Sequence, residues 1–215
     1  MQFSTLFFDL DATLYPASNG LWDLIRDRIY QYMEQEVGIP REQIAATRDH
    51  YWTTYGTTLE GLRIHHQVQP HHYLAYVHDI PLGDFLQEDR QLRKILASLP
   101  QDLWIFTNAD RSHAGAVLGA LGVRDLFSGI VDLLAMDFAV KPQPRSYQIA
   151  LQLAGVKDPA ECILFDDLLP NLRGARDHGL RTALVGEIGL GDEVDFHLPS
   201  IHDIQTLLPQ LWSAS

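Results

Sequence analysis

Phe7-Phe8-Asp9-Leu10-Asp11-Ala12-Thr13-Leu14-Tyr15-Pro16 is the stretch on which the fold turns. The apolar run over residues 6–8 has the length and composition of a buried strand. It ends in two carboxylates with one residue between them. In extended chain, positions two apart face the same side, so Asp9 and Asp11 emerge together at the carboxyl end of that strand. Open α/β sheets place their ligand sites at that edge. Two acids held so close repel each other unless a cation, or a proton shared with a substrate, relieves them. The pair therefore points to a magnesium-dependent site.

Outward from this stretch the pattern changes. Asn19-Gly20 reads as a turn. Leu21, Trp22, Leu24, Ile25, Ile29, Tyr32 and Met33 then recur at helical spacing. A second helix is expected over 41–55, with Ile44, Tyr51 and Trp52 on one face. Tyr55-Gly56-Thr57-Thr58-Leu59-Glu60-Gly61-Leu62 marks a break and a restart, and two more helices are expected over 59–66 and 70–78. No strand pattern occurs between residues 16 and 86. From residue 88 strands alternate with helices: strands over 103–106, 130–134, 162–165 and 182–185, helices over 89–99, 112–121, 147–153 and 171–178, and a last helix over 201–211. Such alternation implies a mostly parallel sheet with right-handed crossovers. The expected fold class is α/β: a Rossmann-like, mostly parallel sheet core from residues 1–15 and 88–215, with a small helical cap, 16–87, inserted after the first strand.

Composition narrows the partners. Among 215 residues, 16 Lys and Arg stand against 28 Asp and Glu, a formal charge of −12. That balance opposes a nucleic acid polymer, which wants a basic face. It leaves room for a small phosphorylated substrate, because one metal ion and one lysine reverse the local field. Cys162 is the single cysteine, so no intrachain disulfide forms, which fits a reducing compartment. No apolar run approaches the roughly 20 residues that span a bilayer, and the N-terminus lacks the basic-then-apolar pattern of a secretory signal. A soluble, cytoplasmic protein with no membrane association is expected.

Three further stretches carry chemistry. Thr107 ends the second core strand, where its hydroxyl and the next backbone N–H can bind a phosphate oxygen. Lys141-Pro142 precedes the helix after the third. Asp166-Asp167 ends the fourth and repeats the problem of Asp9 and Asp11. Taken singly, each reads as an ordinary turn or surface group. In this order, each acidic group and the threonine following a strand, they resemble the four motifs of the haloacid dehalogenase-like hydrolase superfamily across nearly the whole chain. Asp-x-Asp-x-Thr-Leu-Tyr-Pro, the Tyr55–Leu62 stretch and Phe106-Thr107-Asn108 are similar to the pyrimidine 5′-nucleotidase branch.

The resemblance implies a Mg²⁺-dependent phosphomonoester hydrolase. Asp9 would be the nucleophile that forms an aspartyl-phosphate. Asp11 would protonate the leaving group and then activate water, with its backbone carbonyl reaching the metal. Asp167 would bind Mg²⁺, with Asp166 beside it in or behind the coordination shell. Lys141 would neutralise Asp9 and the phosphoryl group, and Thr107 and Asn108 would hold phosphoryl oxygens. Tyr55, Thr57 and Thr58 would meet a ribose or base, with Gly56 and Gly61 permitting close backbone approach. Leu168 and Asn171 depart from the usual fourth motif, and Asn171 can hold a metal-bound water. The preferred substrates are nucleoside 5′-monophosphates, pyrimidine ones first. Alternatives are a phosphatase of small sugar or organic phosphates such as phosphoglycolate, and a catalytically silent binding protein on the same fold. A dehalogenase is disfavoured, since a halide needs no proton from Asp11. His65-His66 and His71-His72 read as solvated surface, and Trp22, Tyr51, Trp52 and Tyr55 as core. Cys162 reads as buried and inert.

Overall fold

A computed structural model describes residues 3–186 and 194–212. The chain divides into two compact units, one of Met1–Asn19 with Leu86–Ser215 and one of Gly20–Phe85. The first unit is built on a sheet. Its first strand, β1 (Thr5–Phe8), is buried at every position, because strands and helices cover it on all sides and leave no solvent face to demand polar alternation. It is followed by β2 (Asp102–Phe106), β3 (Gly129–Val131), β4 (Cys162–Asp166), β5 (Arg181–Val185) and β6 (Phe196–Leu198). The strand order is β3-β2-β1-β4-β5-β6, and every pairing is parallel. Phe8 stacks on Phe165 at 4.7 Å between ring centroids, and Phe7 meets Phe106 edge-on. Each such fully buried side chain stabilises the sheet by about 1.5–3 kcal/mol.

Register sets the level of the strand ends. Phe8 lies opposite Ile105 on one side and Phe165 on the other. The next residues, Asp9 and Asp166, therefore leave neighbouring strands side by side. The chain runs outward from β1 through β2 to β3, then crosses back to β4. The order reverses between β1 and β4, the switch point at which open α/β sheets form their crevice. Helices α5 (Arg90–Ala97), α6 (Arg111–Ala120), α7 (Pro144–Leu153) and α8 (Leu169–Asp177) complete the crossovers. The first two start on aspartate caps: Asp89 accepts from the Leu92 N–H, and Asp110 from those of Ser112 and His113. The other two carry proline in the first turn, where no N–H is missed.

The second unit is helical: α1 (Leu21–Gln35), α2 (Arg41–Tyr55), α3 (Thr58–His66) and α4 (Pro70–Val77). Leu21, Ile25, Ile29, Tyr32 and Met33 form the buried stripe of α1. Gly56 ends α2 in the left-handed region at φ 86°, a conformation a Cβ disfavours. Gly61 lies so close to α2 that a Cβ would come within 2.2 Å of the Tyr51 ring. Both glycines thus have structural roles within this unit. Gly61→Ala is expected to destabilise the helical unit by about 1–3 kcal/mol, the usual range for overpacking. Loss of helical signal at lower denaturant in circular dichroism checks this.

Several expectations need correction. Trp22 and Trp52 are 44% and 49% exposed; they lie outside the buried stripes of their helices, whereas Tyr51 is core. The third strand stops at Val131, because Asp132 turns to accept the Arg111 N–H at the start of α6. The expected C-terminal helix breaks into short turns, with only Ile204–Leu207 α-helical; Pro209 has no N–H to continue it. Strand β6 escapes sequence reading because three residues carry too little pattern, and its pairing with β5 decides it. The paired histidines are exposed, as expected of solvated surface, and His65, His66 and His72 also bond the hydroxyls of Tyr55, Tyr51 and Tyr32. No helix among the described residues is long and apolar enough to cross a membrane.

Candidate active site

The register brings Asp9, Asp166 and Asp167 together. One carboxylate oxygen from each lies within 4.8 Å of the others. Lys141 stands between two of them, its Nζ donating to Asp9 Oδ1 at 2.8 Å and to Asp166 Oδ2 at 2.6 Å. This lysine reaches the strand ends because the segment after β3 folds back, passing through two left-handed residues, Asp137 and Phe138. Asn108, just beyond β2, then clamps it: the Lys141 backbone N–H donates to Asn108 Oδ1 at 2.8 Å, and Asn108 Nδ2 donates to the Lys141 carbonyl at 3.0 Å.

Asp166 and Asp167 have separate settings. Asp166 is fully buried. Its oxygens accept from Lys141, from the Leu168 N–H and from Asn171 Nδ2. Asn171 itself is buried, and its carbonyl accepts from the Tyr147 hydroxyl at 2.7 Å. The Asn171 side-chain Nδ2 braces Asp166, because α8 turns it inward. Asp167 is only partly buried. Thr107 is buried, and its Oγ1 accepts from the Ala109 N–H at 3.0 Å; the hydroxyl hydrogen can still be donated.

Charge follows from this packing. Burial works against the Lys141 ammonium, but the carboxylates of Asp166 and Asp9 outweigh it and hold the lysine charged. Burial pushes the Asp9 carboxyl well above its usual range, Lys141 offsets part of that, and the charges of Asp166 and Asp167 add to it. Asp167 is pushed up to about 7 by burial and then by Asp166. Three acids share one lysine, so the cluster favours a further cation or a proton. Its donors are all oxygens, which fits a hard divalent ion such as Mg²⁺; among the described residues no His or Cys joins them.

Asp11 lies in a tight turn in which the Thr13 and Leu14 N–H groups both return to the Leu10 carbonyl. Ala12 occupies the left-handed region at φ 64°. The turn brings Tyr15 back, and its hydroxyl donates to Asp11 Oδ1 at 2.6 Å. Burial, and then Asp11, keep that phenol protonated by raising it far above its usual range. His113 Nε2 lies 2.9 Å from the same Oδ1. Burial pulls this imidazole down, but Asp11, with Asp110 behind it, more than offsets that, and the net shift is upward.

Sequence reading did not single out His113, Tyr15 or the Asn108 side chain. A signal for His113 existed: it occupies an inward position of α6, four residues before buried Val117. Of the residues expected to meet a substrate beyond the phosphate, Tyr55 bonds His65 at 2.7 Å, Thr57 caps α3 by accepting from the Glu60 N–H, and Thr58 is buried. All three belong to the helical unit. Cys162 is fully buried, and burial pushes its thiol up to about 12, an inert setting.

Residues 3–179 match the sequence profile of the haloacid dehalogenase-like hydrolases. A curated relative, phosphate metabolism protein 8 of Saccharomyces cerevisiae, is 29% identical over 188 residues, 81% of this chain. The chain spans only about 59% of that relative's length. Among solved structures, a HAD phosphatase from Thermococcus onnurineus aligns with a TM-score of 0.65 at 17% identity, covering 94% of this chain and 96% of that one. L-2-haloacid dehalogenase from Xanthobacter autotrophicus aligns with a TM-score of 0.64 at 18% identity, covering 97% and 99%. At such identities these two likenesses speak for the fold alone.

Proposed function

From the premise that this chain belongs to the haloacid dehalogenase-like hydrolases, we propose that it is a Mg²⁺-dependent phosphomonoester hydrolase working through an aspartyl-phosphate. The observation that carries the reading is the Lys141 ammonium held between Asp9 and Asp166, with Asp167 in the same cluster. Asp9 attacks phosphorus. Lys141 holds the attacking carboxylate and offsets the charge that gathers on the phosphoryl oxygens, which is the main task in phosphoryl transfer. Thr107 and the Asn108 N–H orient those oxygens. Asp11 gives its proton to the leaving alkoxide as the ester bond breaks, then takes one from the water that releases phosphate from Asp9. A dehalogenase needs no such acid. Asp9 and Asp167 would hold Mg²⁺, with Asp166 bracing Lys141 behind them. When bound, the ion supplies positive charge against the phosphoryl oxygens.

For the leaving group we keep nucleoside 5′-monophosphates, pyrimidine ones preferred, since the Tyr55–Leu62 stretch and the first motif resemble that branch. The name of the yeast relative agrees with phosphate chemistry. The helical unit is assigned the role of a cap that selects the leaving group, with Thr58 as its foremost candidate residue. We place the enzyme in the cytoplasm, as its single buried thiol allows. A phosphate-release screen over nucleotides, sugar phosphates and phosphoglycolate, with and without Mg²⁺, tests the whole reading. Magnesium-dependent release is expected, greatest with pyrimidine nucleotides. Phosphoglycolate ahead by more than about tenfold, roughly 1.4 kcal/mol, would move the substrate class, and no release from any ester would leave a silent binding protein.

Metal binding is expected to couple to pH. A carboxyl raised to about 7 in the native state holds its proton more tightly than in the unfolded chain. Its ionisation therefore costs stability, a cost that appears as pH rises above the unfolded value and is complete above the folded one. A cation on Asp167 removes that cost. Mg²⁺ should then raise the melting temperature more at about pH 8 than at about pH 5.5. Equal shifts in thermal unfolding at both pH values would count against Asp167 as a ligand.

A further inference from the structure

We infer that His113 is a positioning residue for the proton-transferring carboxyl of Asp11, acting with Tyr15 to bind one carboxylate oxygen so that the travelling proton is carried on the other. The inference rests on the hydrolase reading above. Two groups converge on Asp11 Oδ1: the Tyr15 hydroxyl, four residues on, donates at 2.6 Å, and His113 Nε2, 102 residues on, lies at 2.9 Å and donates in its Nε2–H form. Hydrogens aimed at Oδ1 exclude an acid proton from that oxygen, so protonated Asp11 carries its hydrogen on Oδ2. The carboxyl is thereby held in one orientation, and orientation is what an acid must have to meet a leaving oxygen within hydrogen-bond reach.

The setting of His113 argues against a merely structural role. Its side chain is 1% exposed, whereas that of Asp11 is 16% exposed. The buried ring thus spends its polar edge on a carboxylate that still faces outward. It lies in the first turn of α6, beside the Asp110 cap. A helix N-terminus disfavours a cationic side chain, and an aliphatic residue would pack this buried position without needing a hydrogen-bond partner. The left-handed turn at Ala12 and the return of Tyr15 serve the same oxygen. In the first step the Asp9 oxygen–phosphorus bond forms, the ester oxygen–phosphorus bond breaks, and the Oδ2 proton passes to the leaving oxygen. In the second, water adds to phosphorus, the Asp9–phosphorus bond breaks, and the water proton returns to Asp11. His113 and Tyr15 keep their own protons throughout.

The test compares kcat/KM for phenyl phosphate and 4-nitrophenyl phosphate, two esters of similar size whose leaving groups differ in basicity. The ratio of the two within one preparation does not depend on the fraction of folded enzyme. His113→Leu is expected to lower phenyl phosphate hydrolysis about tenfold more than 4-nitrophenyl phosphate hydrolysis, a fraction of the 10²–10⁴-fold that general acid catalysis supplies. Tyr15→Phe should move the ratio the same way, and His113→Gln, which keeps an amide donor, should restore most of it. The melting-temperature shift with Mg²⁺ should remain in all three. Asp11→Asn serves as the reference. If it changes the ratio and His113→Leu does not, the role of His113 is overturned while the hydrolase reading stands. If Asp11→Asn itself leaves the ratio unchanged, the acid role of Asp11 falls and this inference falls with it.

Discussion

Asp9→Asn is expected to lower turnover on the order of 10⁴-fold or more, the scale seen when a nucleophile is removed, while the protein stays folded. The asparagine amide has the shape of the carboxylate but no charge with which to attack phosphorus. Folding should survive because Asp9 is held against its own ionisation by burial and by Asp166 and Asp167, with only partial relief from Lys141. Removing its charge relaxes that repulsion, and Lys141 keeps Asp166 as a partner at 2.6 Å. The measurements are steady-state phosphate release from protein free of host phosphatase, and thermal unfolding. Turnover within about tenfold of the parent enzyme would rule out covalent catalysis by Asp9.

Lys141→Met is expected to cost about 3–5 kcal/mol of folding stability at neutral pH, the penalty for removing one partner from a buried ion pair, together with most of the activity. The lysine side chain is 1% exposed and serves two carboxylates that are 12% and 0% exposed. Methionine fills similar space and leaves those charges facing one another. The loss should depend on pH in a definite sense. Without Lys141 the Asp9 carboxyl, already raised by burial and by the charges of Asp166 and Asp167, loses the relief the lysine gives and rises further above its unfolded value. It then binds its proton more tightly in the native state, so the cost of ionising it grows as pH rises and fades in acid. Urea unfolding at about pH 5 and about pH 8 should show the larger deficit at the higher pH. A deficit below about 1 kcal/mol at both values would mean that water reaches the cluster and screens it, as at an exposed pair.

The strand ends were legible in the sequence for a simple reason. A strand covered on both faces is apolar throughout, so a polar or charged residue at its end marks where the sheet stops. Leu6-Phe7-Phe8 followed by Asp9, Ile105-Phe106 followed by Thr107, and Leu164-Phe165 followed by Asp166 all carry that mark, and parallel pairing then places them at one edge. The helical stripe of α1 was equally legible, because burial at Leu21, Ile25 and Ile29 repeats with the helix turn. The same rule misjudged Trp22 and Trp52, since an aromatic near the edge of a stripe is assigned by its neighbours in space. Strand β6 and the broken C-terminal turns lay below the length at which periodicity can be read.

The site divides along the same line. By itself the sequence marked the strand ends, Asp9, Thr107 and the Asp166-Asp167 pair, because hydrophobic period and strand length are local properties; Lys141, and the roles of the whole set, came from the resemblance of the ordered motifs. Tertiary structure alone decided the partners. Asn108 clamps a lysine 33 residues away, and His113 reaches Asp11 across 102 residues. Asn171 turns to Asp166 because α8 faces it inward. Hydrogen bonds of this kind act over about 3 Å with strict direction, and no local pattern in the chain encodes which distant donor will arrive at that distance.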